Sequence, residues 1–175
     1  MEKLYYSYMG VHKLIQKASK EIIASGFMPD YIIAIGGGGY IPARILRTFL
    51  NRSIIAVTIS RYTTEDEFSE SGDPIKQQWL SDINVDLNGK KVLIVDEIDD
   101  SRTTLQYCIE ELLKEFNMEI GIFVLQNKKK TKHGVIPKEV KHFFVGEEVE
   151  NLWVNYPWDA LDIEAHDALA RNQNN

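Results

Sequence analysis

Val92-Leu93-Ile94-Val95-Asp96-Glu97-Ile98-Asp99-Asp100-Ser101-Arg102-Thr103-Thr104 passes from an apolar run, through acids and a hydroxyl-rich turn, into the apolar spacing of a helix over residues 103–116. A short, almost continuously apolar run bounded by polar residues is the pattern of a strand buried on both faces, as in a parallel sheet. Working outward, runs of the same length and composition recur at residues 31–35, 54–59 and 120–125. Helical spacing lies between them at residues 41–50. It also precedes them at residues 11–24, where Val11, Leu14, Ile15, Ala18, Ile22 and Ile23 share one face before Gly26 and Pro29 end the pattern. Strand and helix therefore alternate, which predicts an α/β fold with an open, mainly parallel sheet flanked by helices. In such sheets ligands gather at the carboxyl ends of the strands, where the acids of the central stretch fall.

The chemistry of that stretch is specific. Asp96 and Glu97 are suited to accept hydrogen bonds from two vicinal hydroxyls, as a ribose offers. Ser101, Thr103 and Thr104 supply hydroxyls, and the first turn of the following helix supplies unpaired N–H groups and a favourable dipole for a phosphate. Taken in isolation, Asp100 or Ser101 reads more readily as a helix N-cap beside solvated acids. Gly36-Gly37-Gly38-Gly39 follows one predicted strand and precedes a helix, so its amides can approach an anion unobstructed. A dinucleotide-binding Gly-x-Gly-x-x-Gly loop is incomplete, because Ile41 replaces its last glycine.

With 175 residues and 44% hydrophobic side chains, the chain suits a single domain spanning residues 1–175. Cys108 is the only cysteine, which excludes an internal disulfide and suits a reducing, cytoplasmic setting. The start of the sequence lacks the pattern of a signal peptide, and no stretch of about 20 apolar residues offers a membrane span. A net charge of −6 opposes general attraction to nucleic acid, so a phosphate ligand must be held locally. His12, His133, His142 and His166 show neither metal-ligand spacing nor a nearby nucleophile pattern. Residues 61–79, polar and aperiodic, read as a long flexible loop, a candidate lid.

The run from Val95 to Thr104 resembles the signature of type I phosphoribosyltransferases, in which two acids precede Asp-Thr-Gly-x-Thr after an apolar strand. Ser101 stands where threonine is usual and Arg102 where glycine is usual. Fungal hypoxanthine-guanine phosphoribosyltransferases, whose run looks like Val-Asp-Glu-Val-Asp-Asp-Thr-Arg-Thr-Thr, carry the same arginine. The similarity extends to residues 6–13, the glycine run with Ile41-Pro42-Ala43-Arg44, Gln78-Trp79-Leu80, Phe123-Val124-Leu125-Gln126-Asn127-Lys128 and Tyr156-Pro157-Trp158-Asp159.

This resemblance implies the type I phosphoribosyltransferase fold, with a small hood and a flexible loop. It implies transfer from 5-phosphoribosyl-1-pyrophosphate (PRPP) to a 6-oxopurine base, giving a purine nucleoside monophosphate and pyrophosphate, with Mg2+ as cofactor and a homodimer as the assembly. By the same resemblance, Gly37 and Gly38 meet pyrophosphate, Asp96, Glu97 and Asp99 belong to the substrate site, and Asp100 is the catalytic base. Ser101, Arg102, Thr103 and Thr104 form the phosphate turn, to which the Arg102 guanidinium is expected to add a contact. Lys128 donates to the 6-oxo group, with Lys129 and Lys130 facing solvent. Trp153 stacks on the purine, the Val154 backbone meets its edge, Asp159 and Glu97 anchor the magnesium, and Trp158 is structural. A PRPP- or nucleotide-sensing regulatory protein of the same fold is the alternative.

Overall fold

The computed structural model describes residues 2–60 and 73–173, apart from the side chain of Asp82. In chain order the elements are β1 (Lys3–Tyr5), α1 (Tyr8–Ala24), β2 (Tyr31–Gly36), α2 (Tyr40–Leu50), β3 (Ser53–Ser60), β4 (Ile75–Gln78), β5 (Lys91–Asp99), α3 (Thr103–Glu115), β6 (Glu119–Lys128), β7 (Val140–Val149), β8 (Trp153–Asn155) and α4 (Ile163–Asn172). Six strands form one sheet in the order β4-β3-β2-β5-β6-β7, parallel throughout except for β4, and β1 pairs with β8 in a separate parallel ribbon.

The apolar runs are continuous because both faces of the sheet are covered. Ile33, Ile35, Val92 and Ile94 face Leu105, Cys108, Ile109 and Leu112 of α3. Ile32, Ala34, Leu93 and Val95 face Val11, Ile15 and Ile22 of α1 and Leu46 of α2. Side chains alternate across a strand, so adjacent residues of one run serve opposite cores. Cys108 is wholly buried, and that burial pushes its thiol pKa up, which keeps it an inert core residue.

Two expectations change in detail. Asp96, Glu97 and Asp99 do not follow β5 but lie within it, since the strand continues to Asp99 in register with Asn127 of β6, and only Asp100 lies beyond its end. Within the expected loop, residues 75–78 are an antiparallel edge strand on β3, and Trp79 is buried and donates its indole N–H to Glu115 at 2.7 Å. Residues 61–72, the heart of the candidate lid, lie outside the described residues.

Strand order places the site. The chain leaves β2, crosses through α2 to β3 on one side, and later returns as β5 on the other side of β2. The carboxyl ends of β2 and β5 therefore flank a topological switch point, where the following loops diverge and leave a crevice.

Candidate active site

A cavity of about 280 Å3 occupies this crevice, lined on one side by Gly36, Gly37 and Gly38 and on the other by Asp96 through Arg102, with Thr104 beneath. It brings the glycine run and the acidic stretch, 60 residues apart in sequence, onto one wall-to-wall site. The closeness has a steric requirement: a Cβ on Gly38 would overlap the Glu97 carboxylate, and one on Gly39 would meet the carbonyl oxygens of Ile35 and Val95, both at 2.5 Å.

Asp96 is buried, and its Oδ1 accepts from the Glu97 amide at 2.9 Å. Burial, reinforced by the charge of Glu97, holds its carboxyl well above the usual range. Asp99, only 1% exposed, gives one carboxylate oxygen to Arg102, at 2.9 Å from Nε and 2.7 Å from Nη2, with the Lys132 ammonium at 3.6 Å. Its other oxygen is buried with no hydrogen-bond partner among the described residues. The Arg102 guanidinium is paired with Asp99 and lies over the Phe143 ring, 5.5 Å from its centroid.

The Arg102 backbone nevertheless does what glycine does elsewhere. It is left-handed, at φ 68° and ψ 0°, and caps α3 without a side-chain hydrogen bond. A left-handed arginine costs about 1–2 kcal/mol, an expense that the charge-assisted pair with buried Asp99 offsets. Ser101 Oγ lies 3.1 Å from Thr103 Oγ1, and the Ser101 carbonyl accepts from the amides of His133 and Gly134, both at 3.0 Å. Ser101, Arg102 and Thr104 line the crevice at the N-terminus of α3, where helix amides and a favourable dipole suit a phosphate.

Asp100 stands at the rim under two lysines: Lys128 Nζ meets its Oδ2 at 3.0 Å and Lys130 Nζ its Oδ1 at 2.6 Å. Partial burial works to raise its carboxyl, but hydrogen bonds and charge from Lys130 and Lys128 prevail and hold it below the usual carboxylate range. Lys130 is exposed, as expected, while its ammonium also reaches the acid. Lys129 does turn outward, to exposed Glu150 at 3.1 Å. Lys130 lies beyond the end of β6 at Lys128, in a tight turn whose Lys130 amide meets the Lys128 carbonyl at 2.9 Å, so no strand alternation in the sequence places it. Lys132 completes the set, donating to the main-chain oxygens of Asp99 and Asp100 at 2.5 and 3.2 Å.

The remaining expected residues sit on the β1–β8 ribbon and the turn after it. Trp153 is 55% exposed, Val154 packs against the α1 side of the core, and Asp159 ends the turn Pro157–Asp159. None of these three lines the crevice, nor do Lys128 or Thr103. The ribbon is tied to it by Tyr156, a member of the quoted motif to which the sequence assigned no role, whose hydroxyl reaches Gln126 Oε1 at 2.6 Å and the Glu97 carbonyl at 3.1 Å. Its ring stacks on Trp158 at 4.5 Å, and burial, with the charges of Glu97, Asp96 and Asp159 around it, raises its hydroxyl pKa well above normal. Among the described residues no group of three or more His, Cys, Asp or Glu side chains is placed to hold a metal alone.

A parallel sheet with a glycine loop facing an acid-rich turn at its switch point defines a class, a nucleotide- or sugar-phosphate-binding transferase of the α/β type. Residues 3–160 match the phosphoribosyl transferase domain model. The chain belongs to the phosphoribosyltransferase family and has its type I fold. It is 43% identical to a hypoxanthine-guanine phosphoribosyltransferase of Schizosaccharomyces pombe, over 95% of this chain and 93% of that protein. It is 42% identical to xanthine phosphoribosyltransferase 1 of Saccharomyces cerevisiae, over 98% and 97% of the two chains. Among solved structures, a Neisseria gonorrhoeae protein with bound ppGpp superimposes with a TM-score of 0.89 and 45% identity, covering 98% of this chain and 97% of that one.

Proposed function

We propose that this single-domain chain joins a 6-oxopurine (hypoxanthine, guanine or xanthine) to PRPP in purine salvage, releasing a nucleoside monophosphate and pyrophosphate. The observation that carries the reading is the meeting of Asp96–Arg102 with Gly36–Gly38 across one crevice, with Lys128 reaching Asp100 at its rim. The C1′–O bond to pyrophosphate breaks as a C1′–N bond to the purine forms, and the purine gives up one proton. Asp96 and Glu97 accept from the ribose hydroxyls. The Gly37 and Gly38 amides receive pyrophosphate, and Ser101, Thr103, Thr104 and the Arg102 backbone hold the 5′-phosphate. Asp99 serves the substrate by fixing the turn through Arg102 rather than by reaching into the cavity.

Lys128 is suited to a 6-oxo group because an ammonium only donates hydrogen bonds, whereas a 6-amino group would set donor against donor. Trp153 offers an exposed ring for stacking and Val154 a backbone edge. The proton goes to Asp100. Glu97 and Asp159, which both approach Tyr156, offer carboxylate oxygens of the kind that suits Mg2+ and would hold it, with oxygen atoms of the substrate and water completing its shell. Bound there, Mg2+ would neutralise charge on departing pyrophosphate. We place the enzyme in the cytoplasm as a homodimer; no helix among the described residues is long and apolar enough to cross a membrane.

Nucleotide formation from PRPP with each purine base, with and without chelator, tests the reading. Activity with at least one 6-oxopurine and its loss on removing divalent cations are expected; no product with any base would refute it. Lys128→Ala and Trp153→Ala should each raise the KM for base about tenfold or more, with a far smaller change in the KM for PRPP. Steady-state kinetics checks this, and unchanged base KM in both variants would remove the pocket assignment.

The Neisseria protein with bound ppGpp favours a second reading, a nucleotide-sensing regulatory protein. Tight binding of PRPP or a guanine nucleotide without turnover of any purine would select it.

A further inference from the structure

The loop after β6 follows the acidic turn atom by atom. Lys128 and Lys130 take the two carboxylate oxygens of Asp100, Lys132 takes the carbonyls of Asp99 and Asp100, and the His133 and Gly134 amides take the carbonyl of Ser101. Gly134 is pressed so closely on the Arg102 backbone that a side chain there has no room. Of the two lysines on the Asp100 carboxylate, only Lys128 is buried; the Lys130 side chain is 30% exposed and approaches from the solvent side.

We infer that Lys130 is the positioning residue for Asp100, holding Oδ1 so that Oδ2 becomes the proton acceptor when Lys128 leaves it for the 6-oxo group of the base. This rests on the proposed phosphoribosyl transfer and deepens it. A carboxylate gripped by two ammonium groups is a weak base, and a carboxylate gripped by none is free to rotate. Removing one ammonium while the other stays gives a stronger base in a fixed orientation. Drawn toward the purine oxygen, the Lys128 ammonium holds Oδ2 less closely and shares its charge with the base, and Lys130 keeps the carboxylate in place. Recognition of an oxo group is thereby coupled to release of the base, a coupling that a 6-amino group would not trigger.

An exposed ion pair without such a task contributes little to stability and nothing to proton transfer, so kinetics separates the two roles. The charged groups facing Asp100 are Lys128, Lys130 and, at its main chain, Lys132, with the Asp99–Arg102 pair adjacent. Loss of Lys130 removes a cation that depresses Asp100, so its pKa rises. Activity requires the carboxylate, and the acid limb of the kcat/KM profile should therefore move to higher pH.

The test compares Lys130→Met, Lys130→Arg and, as a surface control, Lys129→Met. For Lys130→Met we expect kcat near neutrality to fall about tenfold, the KM for PRPP to stay within about twofold and the acid limb to shift upward. Lys130→Arg should recover most of the loss and Lys129→Met should match the wild type. An unmoved limb with normal kcat in Lys130→Met overturns the assignment, as does an equal effect from Lys129→Met. Carboxyl NMR titration of Asp100 in the free protein gives a readout that needs no catalysis. A raised midpoint in Lys130→Met supports the contact and an unchanged one overturns it, even if the wild type makes no nucleotide and the proposed reaction itself is refuted.

Discussion

Asp100→Asn should lower kcat by on the order of 10²-fold or more while changing PRPP affinity little. The carboxylate sits at the rim of the crevice, outside the phosphate turn proper, and its partners are Lys128, proposed to meet the base, and Lys130, neither of them assigned to the sugar phosphate. Asparagine keeps the size and one acceptor oxygen but cannot take a proton. Its amide also cannot balance both ammonium groups. Lys128 is then freer to bind the base, and the KM for base should fall or hold steady as kcat collapses. That divergence distinguishes a lost base from a disordered site, which would raise both KM values. Bases whose N7 proton is intrinsically more acidic should lose less, since they need less help. The measurement is steady-state kinetics with PRPP and base varied separately. Near-normal kcat would rule out the proton-acceptor role, and lost PRPP affinity would instead place Asp100 in the phosphate turn.

The low pKa of Asp100 adds a sign that stability measurements can check. A carboxyl depressed in the folded state contributes stability above its unfolded pKa, and that contribution is lost as pH falls through the folded value. Wild type should therefore lose more stability than Asp100→Asn as the solution is acidified below about pH 4, the unfolded aspartate value. Parallel melting curves for the two proteins across that window would contradict the paired-carboxylate geometry.

Why the strands β2, β3, β5 and β6 and the helices α1 to α3 could be read from sequence is plain in the packing. Each strand feeds two cores at once, so its whole run is apolar, and each helix feeds one, so its apolar residues recur every three to four positions. β7 hid because it is an edge: Val140 to Val149 mixes Lys141, Glu147 and Glu148 with its apolar residues. The β1–β8 ribbon and α4 are fixed by bonds across nearly the whole chain, such as Gln173 to the Tyr5 amide at 2.8 Å and His166 to the Tyr6 carbonyl at 2.8 Å. No local pattern reports contacts of that span, although Asp162, whose side chain accepts from the Ala165 amide, was a readable N-cap.

In the site, the acids and glycines announced themselves because their chemistry is local to one turn each. The roles of Asp99, Arg102 and Lys130 did not, since each depends on what another loop places opposite it. Arg102 shows this most clearly. Its type forbids the glycine conformation on average, and a buried acid three residues earlier, seen only in three dimensions, lets it be adopted.

Gly38, which lines the crevice, and Gly39, packed behind it on β2 and β5, should fail in different ways. Gly38→Ala places a methyl group where the Glu97 carboxylate now lies. The obstacle is the end of a flexible side chain, so the fold can survive by turning Glu97 aside, at the cost of the acid pair that faces the ribose. Displacement of a binding group by an ångström or so can cost about 10²-fold in rate, and kcat/KM for PRPP should fall by that order with the melting temperature little changed. Gly39→Ala meets main chain instead, the carbonyls of Ile35 and Val95 at 2.5 Å each. Those oxygens belong to β2 and β5, the adjacent central strands of the sheet, which cannot yield singly. Overpacking of this kind costs typically 1–3 kcal/mol, and more is expected where both neighbours are backbone. Gly39→Ala should therefore show a lowered melting temperature and poor yield, with any folded fraction also impaired because α2 begins at Tyr40. Thermal denaturation beside PRPP-dependent kinetics separates the cases. A Gly38→Ala protein with full activity would mean that Glu97 does not need its present position, and a Gly39→Ala protein as stable as wild type would mean that β2 and β5 are less tightly opposed than this crevice requires.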